Sequence, residues 1–337
     1  MHAAYAKSVD ADFFHEDKYL RWQDRPHSSK LKRYTSWVIN ALFFPNKSLF
    51  NIFLTESIRI PQYLMKKFWM MRKDQKLVAI ICDETLYFII NHRYPKLTIW
   101  LMRSFLNNCD ALICISKYQA ELAEQVVSNN QVKILTMHNG INLGMKDNAS
   151  AKLSGKKIVF VGNIESEWRV WYKGFDLMIS TFEMLHNADP SMEFHIVGLV
   201  DDDVKTRTLV NLNPSVTQSI FFHGYSKDLF DTMRQFDLVL HTARGEAWGI
   251  TIQEAMAVGV PAIVSKDTGI KELVEQVADE LVVELESEKI FDAIVWYFGL
   301  SNERRLELGE LSKSIAGNYT EDKAIDSFQK LLKSVEL

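Results

Sequence analysis

The segment Arg244–Ser265, RGEAWGITIQEAMAVGVPAIVS, reads as the loop, helix and returning strand of an α/β unit. It follows the apolar run Leu238–His241, turns at Gly245 and Gly249, and passes through Gly259-Val260-Pro261 into the run Pro261–Val264. Glu246 stands in the loop ahead of the helix, and Glu254, eight positions later, about one turn inside it. A helix N-terminus presents unpaired backbone N–H groups and the positive end of its dipole, a setting that favours phosphate. Carboxylates only accept hydrogen bonds and so suit pairs of sugar hydroxyls. The pattern points to a ligand with hydroxyls on both sides of a diphosphate. Two glutamates alone would be an ordinary solvated helix face, and it is the Gly and Pro frame that makes this a site candidate.

The alternation of apolar run, turn and helix extends in both directions, as expected of parallel sheets with helices on their faces. In the first half the runs are Ala11–His15, Phe50–Leu54, Leu77–Cys82, Ala111–Ile115 and Val132–Met137. In the second they are Lys157–Val161, Met192–Val197, Ile220–Phe222, Leu238–His241, Pro261–Val264 and Leu281–Val283. Between the halves, Asn142–Gly155 (NLGMKDNASAKLSG) has few apolar residues and no period, which predicts a linker. Helices are predicted over Gly174–Leu185 and over Glu321–Leu337, the latter with Ala324, Ile325, Phe328, Leu331 and Leu332 on one face. A chain of 337 residues exceeds one ordinary core, and the expected division is 1–148, 149–320 and a closing helix 321–337.

The net charge of -4 hides an asymmetry: residues 1–150 hold 20 Lys and Arg against 13 Asp and Glu, the remainder 19 against 30. The basic surplus gathers at residues 18–37, around Trp22, Tyr34 and Trp37, and at 59–76, around Phe68 and Trp69. Such interleaving suits an anionic membrane surface, and equally a solvated face over core aromatics. Nucleic acid is not expected as a partner. No run is long and apolar enough to span a bilayer and no signal peptide is evident, so the expected location is cytoplasmic, peripheral on the inner membrane face. Cys82, Cys109 and Cys114 form no disulfide framework, and Cys82 reads as a small buried hydrophobe. Asp201-Asp202-Asp203 reads as acidic residues of a loop, with no metal and no cofactor expected. His138, His223 and His241 read as hydrogen-bonded structural residues.

The Glu246–Pro261 segment resembles the signature of the retaining glycosyltransferases of family 4 (group 1), a glutamate, seven residues and a second glutamate in a context like EGFGxxxxEAMAxGxPVI. Phe160-Val161-Gly162 followed by Lys173-Gly174, Phe222-His223-Gly224, and Gly269 ahead of Glu272 are similar to further family segments, in the expected order. Asp110–Tyr118 and His138–Asn142 resemble the closing segments of the family's N-terminal domain. The resemblance covers residues 77–337 well and 1–76 poorly. It implies a GT-B fold: two Rossmann-like α/β domains facing across a cleft, the C-terminal helix crossing back to the first. It implies transfer of a hexose from a nucleotide diphosphate sugar to a hydroxyl of a glycan or lipid-linked acceptor, with retention.

By the same resemblance, Glu254 holds the ribose, Lys173 the diphosphate, Glu246 the donor sugar, and the backbone N–H groups of Gly249, Ile250 and Thr251 the phosphates. Gly162, Asn163, Gly224 and Trp248 complete the donor side. The family commonly has an arginine where Asn163 stands; Arg169 can substitute for it, or belong to a solvated loop. The family's Gly-rich loop and later histidine of the first domain are absent, leaving Asp83 and His92 as acceptor-side candidates. Two alternatives stay open: a nucleotide-sugar epimerase of the same fold, and a weakly active, partner-dependent subunit.

Overall fold

The computed structural model describes residues 52–56, 58, 75–142 and 149–336, which divide into two compact units. The predicted strand Ala11–His15, the basic cluster at 18–37 and most of that at 59–76 lie outside the described residues. Among the described residues no helix is long and apolar enough to cross a membrane.

The first unit includes all described residues up to His138, together with the C-terminal helix Glu321–Glu336. Its strands β1 (Ile52–Glu56), β2 (Lys76–Ile81), β3 (Ala111–Cys114) and β4 (Lys133–Thr136) form one parallel sheet in sequence order. β2 is the unbroken apolar run of a strand covered on both faces, buried from Leu77 to Ile81. β1 runs two residues further than predicted, through polar Thr55 and Glu56, because its ladder with β2 continues to Ile80. Helices α1 (Thr85–Ile90), α2 (Lys96–Leu106) and α3 (Lys117–Val126) complete the layer. Leu86, Ile89, Phe105, Leu122 and Val126 pack with Leu77, Ala79, Ile81 and Leu112 in one core. Ser116 starts α3 by accepting the Gln119 N–H at 3.0 Å. In the C-terminal helix Ala324, Phe328, Leu332 and Val335 are buried, the spacing of one helix face. Cys109 and Cys114 are buried and Cys82 half-buried, none of them in a disulfide, and burial pushes the Cys114 thiol up to about 12.

The second unit, 139–320, holds β5 (Lys157–Val161), α4 (Glu167–Tyr172), α5 (Phe175–Ala188), β6 (Glu193–Val197), α6 (Asp202–Leu209), α7 (Pro214–Gln218) and β7 (Ile220–Gly224). These are followed by α8 (Leu229–Met233), β8 (Leu238–His241), α9 (Ile250–Ala257), β9 (Ala262–Ser265), α10 (Lys271–Val274), β10 (Val282–Val283), α11 (Ser287–Gly299) and α12 (Asn302–Ala316). All pairings are parallel and the order is β10-β9-β8-β5-β6-β7, the doubly wound arrangement. β7 outruns its predicted end at Phe222 because a register shift lets Gly224 pair with Val197.

One device opens both sheets. Asp110, just ahead of β3, accepts the Leu77 N–H of neighbouring β2 at 2.7 Å. Asp237, just ahead of β8, accepts the N–H groups of Gly155 and Lys157 at 2.7 and 2.9 Å, fixing the start of β5. Each carboxylate satisfies main-chain donors that the ladder does not reach.

Candidate active site

Successive connections from the β5–β8 pair run outward in opposite directions, so the loops leaving the C-terminal ends of these two strands diverge. A doubly wound sheet leaves its ligand crevice there.

Lys173 reaches this point from the β5 arm. It closes α4, and Gly174 then turns the chain into α5 with φ 69°. A Cβ on Gly174 would stand 1.9 Å from the Thr242 carbonyl oxygen, so only glycine allows the β5 arm to lie against the end of β8. The Thr242 hydroxyl donates to the Gly174 carbonyl at 3.0 Å. Arg244 adds a clamp from the β8 arm, donating twice to Asp176 at 2.9 Å and once to the Trp171 carbonyl.

Glu246 arrives from the β8 arm. Its backbone carbonyl accepts the Gly269 N–H at 2.9 Å, and its carboxylate takes a hydrogen bond from Lys173. The two side chains are 18% and 13% exposed, so the pair is weakly screened. His241, the last residue of β8 and 3% exposed, sets Nε2 3.5 Å from the same carboxylate oxygen, the outer limit of a hydrogen bond. Burial alone would raise the Glu246 pKa, yet the Lys173 charge and the His241 contact outweigh it and hold the carboxyl well below the usual range. Burial, aided by Lys173, lowers the pKa of His241 despite Glu246, and so the imidazole is neutral. The result is an ionised carboxylate with one cationic and one neutral neighbour, able to accept ligand hydroxyls.

Both depressed pKa values make stability rise with pH, because the unfolded chain binds these protons more readily than the folded one. The His241 contribution, complete above the free-histidine value of 6.5, is lost as pH falls below it; that of Glu246 is lost from 4.5 downward. His195, whose pKa is likewise lowered by burial, adds to the first window. We expect the melting temperature to drop between pH 7.5 and 5.5, and to drop less in His241→Gln. Equal slopes in thermal melts of the two proteins would contradict this.

α9 supplies the third part. Gly249 precedes it with φ 106°, where a Cβ would meet Ile252 Cδ1 at 2.7 Å, and it has no side chain with which to cap the helix. The N–H groups of Ile250 and Thr251 precede the first intrahelical bond, and Glu254 follows one turn in, half-buried.

The remaining predicted residues divide. The exposed Asn163 accepts the Leu199 N–H through its side chain and Arg169 Nε through its carbonyl at 2.8 Å, which anchors Arg169 at the end of β5. Gly162 follows β5 and donates its N–H to the Val197 carbonyl at 3.0 Å, and Gly224 ends β7, its carbonyl accepting the Gly198 N–H at 2.8 Å. Trp248 differs from its prediction: it is 1% exposed and donates its indole N–H to Gln253 at 2.8 Å, so it supports α9 from behind. Asp83 and His92 belong to the first unit. There Asp83 accepts the Thr85 N–H ahead of α1, and His92 stands at φ 52° between α1 and α2. Asp201 caps α6 through the N–H groups of Asp203 and Val204. His223 bonds His195 at 2.9 Å on the β6–β7 side, whereas His241, read as structural, joins the site. Its position at a strand end beside the switch point was the signal available for it.

Residues 155–298 match the family described as Glycosyl transferases group 1. An uncharacterised glycosyltransferase of Haemophilus influenzae is 22% identical over 67% of this chain, which spans 62% of that relative's length. Among solved structures, Anabaena HepE in complex with UDP-glucose superposes with a TM-score of 0.70 at 16% identity, covering 94% of this chain and 88% of HepE. Sucrose-phosphate synthase from Thermosynechococcus elongatus gives 0.71 at 14% identity, over 92% and 80%. The fold is that of the GT-B glycosyltransferases, and the match to the group 1 family model falls within the second unit.

Proposed function

We propose that this chain is a retaining glycosyltransferase of family 4 that moves a hexose from a nucleotide diphosphate sugar to a hydroxyl of a glycan or lipid-linked acceptor. The observation that carries the reading is the meeting of Lys173, Glu246 and His241 at the β5–β8 switch point, beside the uncapped start of α9. Lys173 and Arg169 supply positive charge for a diphosphate, the N–H groups of Gly249, Ile250 and Thr251 bind its oxygens, and Glu254 holds ribose hydroxyls. Glu246 accepts from hydroxyls of the sugar.

As the bond from the anomeric carbon to the diphosphate oxygen breaks, negative charge grows on the leaving phosphate, where Lys173 and the helix start stabilise it. The departing phosphate takes the acceptor hydroxyl's proton, and the new bond forms on the face just vacated. No side chain serves as nucleophile, so positioning and charge carry the catalysis. The basic first half supports attachment to the inner face of an anionic membrane.

The test is nucleotide release from a donor panel begun with UDP-glucose, a choice the HepE complex supports. An epimerase would give a new sugar nucleotide without acceptor, and a partner-dependent subunit would release nothing. Glu254→Ala should weaken binding of UDP, GDP or ADP, whichever binds, by about 10- to 150-fold, the equivalent of about 1.5–3 kcal/mol for a charged hydrogen bond. The variant should stay folded, as read by circular dichroism. Calorimetry showing undiminished affinity would remove Glu254 from the site.

A further inference from the structure

We infer that α2 is the element that docks on an anionic lipid bilayer, a reading that rests on the membrane attachment proposed above and gives it a place in the fold. The core-facing side of this helix is ordinary, with Ile99, Phe105 and Leu106 buried. Its outward side is not. Leu97 is 68% exposed and Trp100, one turn later on the same face, 58%. A helix that covers a sheet carries polar residues on its far face, and here a leucine and a tryptophan stand in the middle of it. Among the described residues of the first unit, Leu54 is the one other large hydrophobic side chain that is exposed, and it is less so.

The charge around this pair has one sign. Residues 85–109 contain no aspartate or glutamate, and Arg93, Lys96 and Arg103 lie within them. With about 3.6 residues per turn, Lys96 and Arg103 fall on the same flank of Trp100. Neither is in an ion pair among the described residues. Tryptophan settles at the boundary between headgroups and acyl chains, while lysine and arginine reach the phosphates beside it. A bilayer therefore answers both halves of the face, the apolar centre and the cationic flank. A second copy of the chain, pairing the same surface with itself, would set these cations against one another. A stable protein partner needs about 20–30 residues a side, whereas the exposed apolar surface of α2 centres on two residues of a convex ridge. Duplex nucleic acid would meet the cations and leave Leu97 in water.

The experiment is flotation of the full chain at low salt with phosphatidylcholine vesicles containing about one-third phosphatidylglycerol, against vesicles of phosphatidylcholine alone. The chain should float with the anionic vesicles only. Lys96→Gln with Arg103→Gln should weaken partitioning about 30-fold, two cations at about 1 kcal/mol each. Leu97→Ser with Trp100→Ser should weaken it about tenfold or more, and circular dichroism should show both double variants folded. Quenching of tryptophan fluorescence by brominated phosphatidylglycerol should be smaller in Trp100→Phe than in the unmodified chain, because the indole at acyl depth is then missing. Equal flotation of the unmodified chain and both double variants would overturn the assignment to α2 and move the attachment elsewhere in the first half. Equal quenching in Trp100→Phe, or loss of the folded state in both double variants, would overturn it as well. So would binding of duplex DNA that displaces the vesicles and is lost in the charge variant. An unmodified chain that does not float with anionic vesicles would instead defeat the parent reading of membrane attachment.

Discussion

Glu246→Gln should lower donor turnover by about 10- to 150-fold, the cost of about 1.5–3 kcal/mol for losing a charge-assisted hydrogen bond at the reacting sugar. The amide keeps the shape of the side chain and removes its charge, so shape is controlled for. Glu246 is ionised throughout the neutral range because Lys173 and His241 outweigh its burial. The same substitution leaves the Lys173 ammonium, 13% exposed, with no anion opposite it. Breaking one side of a buried pair costs about 3–5 kcal/mol, and this partly exposed pair should fall near the lower figure. Lys173→Met combined with Glu246→Gln should therefore recover stability, measured by urea unfolding, without recovering turnover. A double variant no more stable than Glu246→Gln would show that the ion pair does not hold the two arms together. Unchanged turnover in Glu246→Gln would remove that residue from the reaction.

Gly174→Ala is expected to disable the site from behind. The added methyl meets the Thr242 carbonyl oxygen at 1.9 Å, and φ 69° disfavours any Cβ. The left-handed conformation costs about 1–2 kcal/mol and overpacking about 1–3 kcal/mol more, so a loss of roughly 2–5 kcal/mol should appear in unfolding experiments. The backbone can relieve the overlap only by moving the β5 arm away from β8, and Lys173 moves with it. A displacement near 1 Å costs about a hundredfold in rate. Gly299→Ala is the control, since nothing lies within 4 Å of its added methyl. Nucleotide release from Gly174→Ala at the unmodified rate would show that the close approach is not needed to place Lys173.

The sheets were legible because a strand covered on both faces has to be apolar throughout, as Leu77–Ile81 and Ile158–Phe160 are. The turns that place Lys173, Glu246 and the start of α9 were legible because glycines fix them locally. Trp248 was not: its place depends on Gln253, which donates onward to the carbonyl of Tyr319, 66 residues later, and no local pattern announces that return. His241 stands five residues before Glu246 on the same arm, and it is the order β8-β5 that brings Lys173 from a distant segment to join them. Arg244 appeared only as the first residue of a loop, while its partner Asp176 lies 68 positions away.

The aspartates that open the two sheets bear on how such a protein can change. Asp110 and Asp237 tie side chain to main chain at the strand beginnings, whereas Lys173, Glu246 and His241 stand at or beyond the strand ends. In the second unit the Asp237 bonds that set the start of β5 and the groups that would choose a substrate thus occupy opposite ends of the same sheet. On the function proposed above, replacements among the rim loops of that unit would alter which sugars are handled while leaving the foundation untouched, so new specificities would be reachable without first repairing the fold.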